Sequence, residues 1–310
     1  MTTLNLTDSP RPLGQSAISA FPIAYGCWRF AGTDVATARA KIETALEVGI
    51  DLFDQADVYG CDGGGEFGDS EALLGRVLHE APSLRDQMKI ATKGGIVLGV
   101  PYDSSPPALR SACEDSLKRL RIESIDLYQI HRPDFLAHPA ATAQVLGELR
   151  EEGKIREVGV SNYSPAQLSA LQAHLPFDLI TQQPEFSCWE ISPLRDGVLD
   201  QCMERGLTPL AWSPLAGGRL FLSHDEVMTQ ERGPQLAVLI ETLDGLAAEQ
   251  EKSREAVALS WLLAHPAGVI PIIGTQDPAR IRASLQALEV QWTRSRWNQV
   301  LEASQGVALP

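Results

Sequence analysis

Apolar runs of strand length alternate with helix-period segments eight times along the chain. Strands that alternate with helices imply a parallel sheet, because two neighbouring parallel strands need a crossover between them. The strand-like runs are "FPIAYGCW" (21–28), 51–54, 88–93, 126–131, "IREVGVSN" (155–162), "FDLITQQ" (177–183), "LTPLAW" (207–212) and "GVIPIIG" (268–274). The first helical segment, 33–49, puts Val35, Ala38, Ile42, Ala45 and Leu46 on one stripe, with Thr33 or Asp34 to cap its start and Gly49 its end. Further helices are expected over 69–80, from Ser105-Pro106 to Leu120, up to Gly153, from Ser164-Pro165, and over 193–205 with Gly206 as the stop. Two more cover about 235–250 and 254–264, and another starts at Asp277-Pro278 with Ile281, Leu285 and Leu288 on one face. Eight such units point to an α/β fold of the closed (β/α)8, or TIM-barrel, type. No low-complexity linker interrupts them. A single domain over 1–310 is expected, with the barrel core at about 20–290 and a C-terminal helix at about 291–304 that Trp292 and Trp297 pack on the barrel.

Charge and composition narrow the function classes. The net charge of −14 argues against general binding to nucleic acid or a membrane surface. No run of about 20 apolar residues could span a bilayer. The first residues lack a charged segment followed by an apolar one, so no signal peptide is read there. Cys27, Cys61, Cys113, Cys188 and Cys202 are scattered without CxxC spacing and read as reduced thiols, not a disulfide framework or a zinc site. A cytoplasmic protein, monomeric by default and acting on a small molecule, is the expectation.

In a barrel of this kind the active site lies on the face where the strands end. The second strand delivers Asp54 and, five residues on, Tyr59; the third delivers Lys93 and the fourth His131. The fifth gives Ser161 and Asn162, the sixth Gln183, the seventh Trp212 and Ser213, and the eighth Gly274 and Thr275. Tyr, Lys, Asp and His make a proton-transfer set. An ammonium beside a phenol, whose ordinary pKa is roughly 10, favours the phenolate and lowers that value. An aspartate behind the lysine keeps it charged, and a histidine can bond the same substrate oxygen. Lys93 alone also fits a Schiff-base aldolase barrel. The amides Asn162 and Gln183 suit the edge of a flat carboxamide-bearing ring, and Trp212 suits its face. "GGGEFG" (63–68) matches G-x-G-x-x-G but stands nine residues after Asp54 rather than directly after a strand, so a mobile loop over the site mouth fits it better than a dinucleotide fingerprint. His79, His138, His174, His224 and His265 lack ligand spacing, and no metal site is expected.

The chain resembles the aldo-keto reductase family through "FDQADVYG", "ATKGG", "DLYQIHRPD", "GKIREVGVSNYS", "TQQPEFS", "AWSPLAGGRL" and "IPIIGTQDPARI", which run in the family's order, and within it the bacterial YdhF-like oxidoreductases. The resemblance implies an NAD(P)H-dependent reductase that converts an aldehyde or ketone to an alcohol. Its cofactor would be NADPH, with NADH as the other possibility. Tyr59 would be the general acid, with Asp54, Lys93 and His131 completing the tetrad. Ser161, Asn162 and Gln183 would hold the carboxamide of the nicotinamide and Trp212 would stack on its ring. Ser213, Leu215 and Gly217 would line the pyrophosphate, and Gly26 and Cys27 would approach the cofactor, where Asp54 also lies. Thr275 and Arg280 would meet the adenosine phosphate. Gly274 stands where some members carry a lysine beside the 2′-phosphate, and Ser284 where an asparagine that holds adenine is usual. Trp28, Tyr59 and His131 would face the substrate. Some barrels of this family instead serve as cofactor-bound regulatory subunits with little turnover; the intact tetrad favours an enzyme.

Overall fold

The structure, a computed structural model, describes all residues except 1, 2, 5, 62 and 63, with side chains from residue 6 onward. Eight parallel strands close into a barrel in chain order: β1 (Ala24–Gly26), β2 (Leu52–Asp54), β3 (Lys89–Gly94), β4 (Ile125–Ile130), β5 (Ile155–Ser161), β6 (Thr181–Gln183), β7 (Thr208–Ala211) and β8 (Ile270–Ile273). The last pairs back onto the first, with Ile272 beside Ala24 and Ile273 beside Tyr25. Between them run α1 (Val35–Glu47), α2 (Asp69–Glu80), α3 (Pro106–Leu120), α4 (Pro139–Glu151), α5 (Pro165–Gln172) and α6 (Val198–Arg205). After β7 come α7 (His224–Met228), α8 (Gly233–Glu249) and α9 (Arg254–Leu263), and after β8 α10 (Pro278–Ala283) and α11 (Arg294–Gln305). The (β/α)8 barrel read from the sequence is the fold observed.

The strands read as continuous apolar runs because both of their faces are covered. Every residue of β2 and of β4 is buried. Ala24, Leu52, Ala91, Leu127, Leu210 and Ile270 meet inside the barrel. Tyr25, Phe53 and Ile90 face outward, onto Ile42, Leu74 and Val77 of the helical layer. Packing inside is tight: a Cβ at Gly159 would lie 1.9 Å from Thr181 Oγ1. The helices begin where local chemistry allows. Asp34 accepts from Thr37 N–H at 2.8 Å, and Ser164 and Gln167 form a reciprocal capping box ahead of Pro165. Gly206 ends α6 in the left-handed region at φ 66°.

Several elements differ from the sequence reading. The expected helix over 193–205 splits into a 3₁₀ turn (Ser192–Leu194) and α6, because Gly197 takes φ 86° and Asp196 Oδ1 caps Val198 N–H instead. The connection after β7 holds a 3₁₀ segment, Ala216–Phe221, as well as α7. The floor of the barrel was not foreseen. Arg11–Pro12 and Ser19–Ala20 pair antiparallel, and the connection between them places Leu13, fully buried, among the interior side chains. Gly14 N–H donates to Thr208 Oγ1, that hydroxyl donates to Pro12 O, and Arg11 Nη1 donates to Val269 O. Of the two C-terminal tryptophans, Trp292 lies in a two-residue strand ahead of α11 and Trp297 within that helix. Trp297 stacks on Trp261 at 4.6 Å, each indole N–H donating to the other residue's carbonyl at 3.0 Å, and buried Trp292 donates to Ser260 Oγ.

Candidate active site

Strand register brings the ionisable residues together. Asp54 ends β2 and Lys93 sits one residue from the end of β3; β2 and β3 pair through Asp54 and Ala91, so both side chains emerge at the same end of the barrel. His131 follows β4, and its N–H donates to Gly94 O. Tyr59 is brought back over the strand ends by a turn, in which its N–H donates to Ala56 O and Asp57 N–H to Lys93 O.

Lys93 is fully buried, and its three N–H bonds have three acceptors: Asp54 Oδ2 at 2.7 Å, Gln55 O at 2.8 Å and Tyr59 Oη at 2.9 Å. Burial acts to lower the ammonium, but Asp54 and Tyr59 outweigh it and push the group up to about 12. A nucleophilic amine for Schiff-base chemistry needs the opposite balance. For Tyr59 burial wins: the phenol is raised above its ordinary value, with Lys93 opposing and Asp54 reinforcing. The lysine pulls in the expected direction but does not bring the phenol toward neutrality, so Tyr59 keeps its proton. His131 lies edge-on to Tyr59, with ring centroids 5.9 Å apart at 80°. Burial, then the cations Lys93 and Arg132, hold its imidazole well below the usual histidine range, and its Nδ1 has no protein partner. A neutral imidazole and a protonated phenol therefore stand at one point.

These groups open into a cavity of about 680 Å³. Its wall at the tetrad is formed by Asp54, Tyr59 and His131, with Gly26 and Trp28 on one side and Ser161, Asn162, Gln183 and Trp212 on another. It continues past Ser213, Leu215 and Gly217 to Gly274, Thr275 and Arg280. Lys93 is behind this wall, reaching the cavity only through Tyr59 and Asp54. Cys27 and Ser284 do not line it. Cys27 is wholly buried in the core, its N–H donating to Asp54 O, and Ser284 Oγ turns inward to Ile281 O at 2.7 Å. The described part of the glycine run, 64–68, also stays away from the cavity: Gly68 at φ 86° leads into α2, and Gly63 lies outside the described residues.

The polar wall is pre-organised. Asn162, at φ 60°, donates to Ser161 Oγ and His131 O and accepts from Trp212 Nε1 at 3.0 Å. Gln183 Nε2 donates to Asp54 Oδ1 at 2.9 Å, so both oxygens of that carboxylate are engaged. Sequence reading missed this coupling, and it missed Arg29, Arg132, Phe221 and Glu255 as cavity residues. Arg132 had a signal, standing next to His131. Glu255 had none, being on α9, far along the chain from every strand end that was read.

A nicotinamide dinucleotide fits this donor set: an aromatic and amide wall beside the tetrad, a backbone at Gly217 and Gly218 with φ 64° and 95° and no bulk, and a guanidinium at the far end. Gly274 leaves open space around its Cα, so the absence of a lysine there is not imposed by packing. Among the described residues no group of His, Cys, Asp or Glu is arranged to hold a metal ion, and no helix is long and apolar enough to cross a membrane.

Comparison with known proteins shows the family. The family model for the aldo/keto reductase family matches residues 22–305. A 6-dehydroglucose reductase of Novosphingobium aromaticivorans is 48% identical, covering 100% of both chains. A second, from Agrobacterium fabrum, is 37% identical over 89% of this chain and 91% of its own. Oxidoreductase YdhF of Escherichia coli is 36% identical over 92% and 94%. The crystal structure of a thermostable aldo-keto reductase in complex with the inhibitor epalrestat superposes with a TM-score of 0.78 at 23% identity, covering 95% of this chain and 99% of that one. The chain is thus a member of the aldo/keto reductase family, an NAD(P)H-dependent oxidoreductase built on a (β/α)8 barrel.

Proposed function

We propose that the protein reduces the carbonyl group of a small aldehyde or ketone to an alcohol, with NADPH as its cofactor and Tyr59 as proton donor. The observation that carries this reading is the buried, fully committed Lys93 ammonium, which bridges Asp54 and Tyr59. A nicotinamide cofactor, when bound, would supply the hydride for the carbonyl carbon. The chain's own residues handle the oxygen. Tyr59 Oη gives its proton to the oxygen as negative charge develops there, and Lys93 stabilises the phenolate left behind. His131, neutral, donates a hydrogen bond to the same oxygen and so orients it. Asp54, held by Lys93 and Gln183, balances the lysine's charge. Ser161, Asn162, Gln183 and Trp212 would position the nicotinamide, and Arg280 with Thr275 would meet the adenosine phosphate.

The full-length relatives named as 6-dehydroglucose reductases make a sugar aldehyde the first substrate class to try. The test is a panel of aldehydes and ketones, 6-dehydroglucose among them, with absorbance followed at the reduced-nicotinamide band. Cofactor binding without turnover on any carbonyl would favour a regulatory subunit and overturn the reductase reading.

The pH dependence follows from the direction of the shifts. A proton donor works only while protonated, and burial has moved Tyr59 above the ordinary phenol value of roughly 10. His131 is held neutral across the same range. The reductive kcat is therefore expected to stay level from pH 6 to 9 and to fall only above the ordinary phenol range. A descending limb near neutrality in the kcat profile would assign the proton to another group.

A further inference from the structure

At the end of the cavity away from the tetrad, the cation that lines the wall, Arg280, already has a partner. Arg280 Nη2 is 3.2 Å from Glu255 Oε2. The two side chains are unequally placed: Arg280 is 48% exposed, Glu255 only 13%. The arginine is the more exposed of the two and lies over the Phe221 ring, its Cζ 5.4 Å from the centroid, whereas the carboxylate is in the first turn of α9, where the helix dipole favours a negative charge. Both line the cavity. Among the described residues the neighbouring cations have acceptors of their own: Lys41 Nζ donates to Gln276 Oε1 at 3.0 Å. Arg254 is bound through two nitrogens to Asp244 and donates to Leu220 O, Arg219 donates to Ala216 O, and Arg282 pairs with Glu47.

We propose that Glu255 sets the discrimination between the two nicotinamide cofactors, opposing the 2′-phosphate of NADPH and accepting from the ribose hydroxyl of NADH. The inference rests on the cavity being a nicotinamide site with Arg280 at its adenosine end. The charges decide the direction. A near-dianionic phosphate that takes over Arg280 leaves Glu255 beside it without a partner, and like charges at contact in a partly desolvated pocket are unfavourable. A ribose hydroxyl is a donor, and a carboxylate is the acceptor it matches. The preference for NADPH is then the difference between two opposed charges, Arg280 for it and Glu255 against it, rather than the strength of one.

The test is binding, read by calorimetry without any carbonyl substrate. The probes are NADPH and NADH on the intact protein, with 2′,5′-adenosine bisphosphate and 5′-AMP as fragments that differ by the same phosphate. Glu255→Gln, which keeps the shape and removes the charge, is expected to tighten NADPH and the bisphosphate about tenfold and to leave NADH and AMP unchanged or weaker. Arg280→Ala is expected to move the phosphate-bearing pair the other way. Should Glu255→Gln misfold, Glu255→Ala serves the same purpose, with circular dichroism as the control for folding. An unaltered NADPH/NADH ratio in a variant that still binds both overturns the role of Glu255 and leaves the site intact. Failure of the folded wild-type protein to bind either dinucleotide overturns the nicotinamide site, and the proposal with it.

Discussion

Tyr59→Phe is expected to lower kcat for carbonyl reduction at least about 10²-fold, the low end of what a positioned general acid contributes. Cofactor affinity should be nearly unchanged. The substitution removes a single oxygen, the one 2.9 Å from Lys93 Nζ. The ring remains edge-on to His131 and keeps the packing of the turn. What disappears is the only phenolic proton at the cavity wall among the described residues, since Tyr25, Tyr102, Tyr128 and Tyr163 do not line it. The check is steady-state kinetics beside a cofactor titration. Retention of most of the wild-type kcat would remove Tyr59 from the chemistry.

Lys93→Met carries the larger combined effect, because it removes a reaction partner and a buried charge together. Most carbonyl reduction should vanish. Stability should also fall by about 3–5 kcal/mol, the usual consequence of leaving one member of a buried ion pair alone. Asp54 is 4% exposed in its side chain and would keep only Gln183 Nε2 as a donor among its present side-chain partners. The double variant Lys93→Met with Asp54→Asn separates the two roles: it should recover much of the urea midpoint while activity stays lost. Recovery of activity along with stability would make Lys93 a structural residue. Borohydride treatment of the wild type with a carbonyl substrate should leave its mass unchanged, since all three lysine N–H bonds are engaged and the ammonium is pushed up, not down.

The features legible in the sequence were those written locally. Ser164 before Pro165, Asp277 before Pro278 and Gly206 after Arg205 each act within a few residues, and each marks the helix boundary they announce. The strand exits were legible because a barrel makes every strand end at the same face, so a polar residue after an apolar run is already placed in space. Strand lengths were less so. The run 21–28 contributes only Ala24–Gly26, since Phe21 N–H is taken by Asp51 Oδ1 and Trp28 turns out to the cavity mouth. In 177–183 only the last three residues are strand, because the Gln172 side chain bonds both Phe177 O and Leu179 N–H. Long-range pairings had no local trace. Gln183 meets Asp54 from 129 positions away, and Arg280 meets Glu255 across a strand and a helix boundary. Ser284 and Cys27 were placed by resemblance alone, and each points its side chain into the protein.

The plug beneath the barrel links the first residues of the chain to the last turns of the fold. Its hydrogen bonds join partners 194, 196 and 258 positions apart. Contacts of such separation carry the greatest loop-closure entropy and require β7 and β8 to be in place before they can form. The plug is therefore expected to dock after the rate-limiting step, so that Leu13→Ala speeds unfolding while barely slowing folding, a φ-value near zero. Stopped-flow chevrons would register this as a displaced unfolding arm above an unmoved refolding arm. Because the plug sits at the opposite end of the strands from Tyr59, lifetime of the native state and turnover can change independently, one tuned at each mouth of the same barrel.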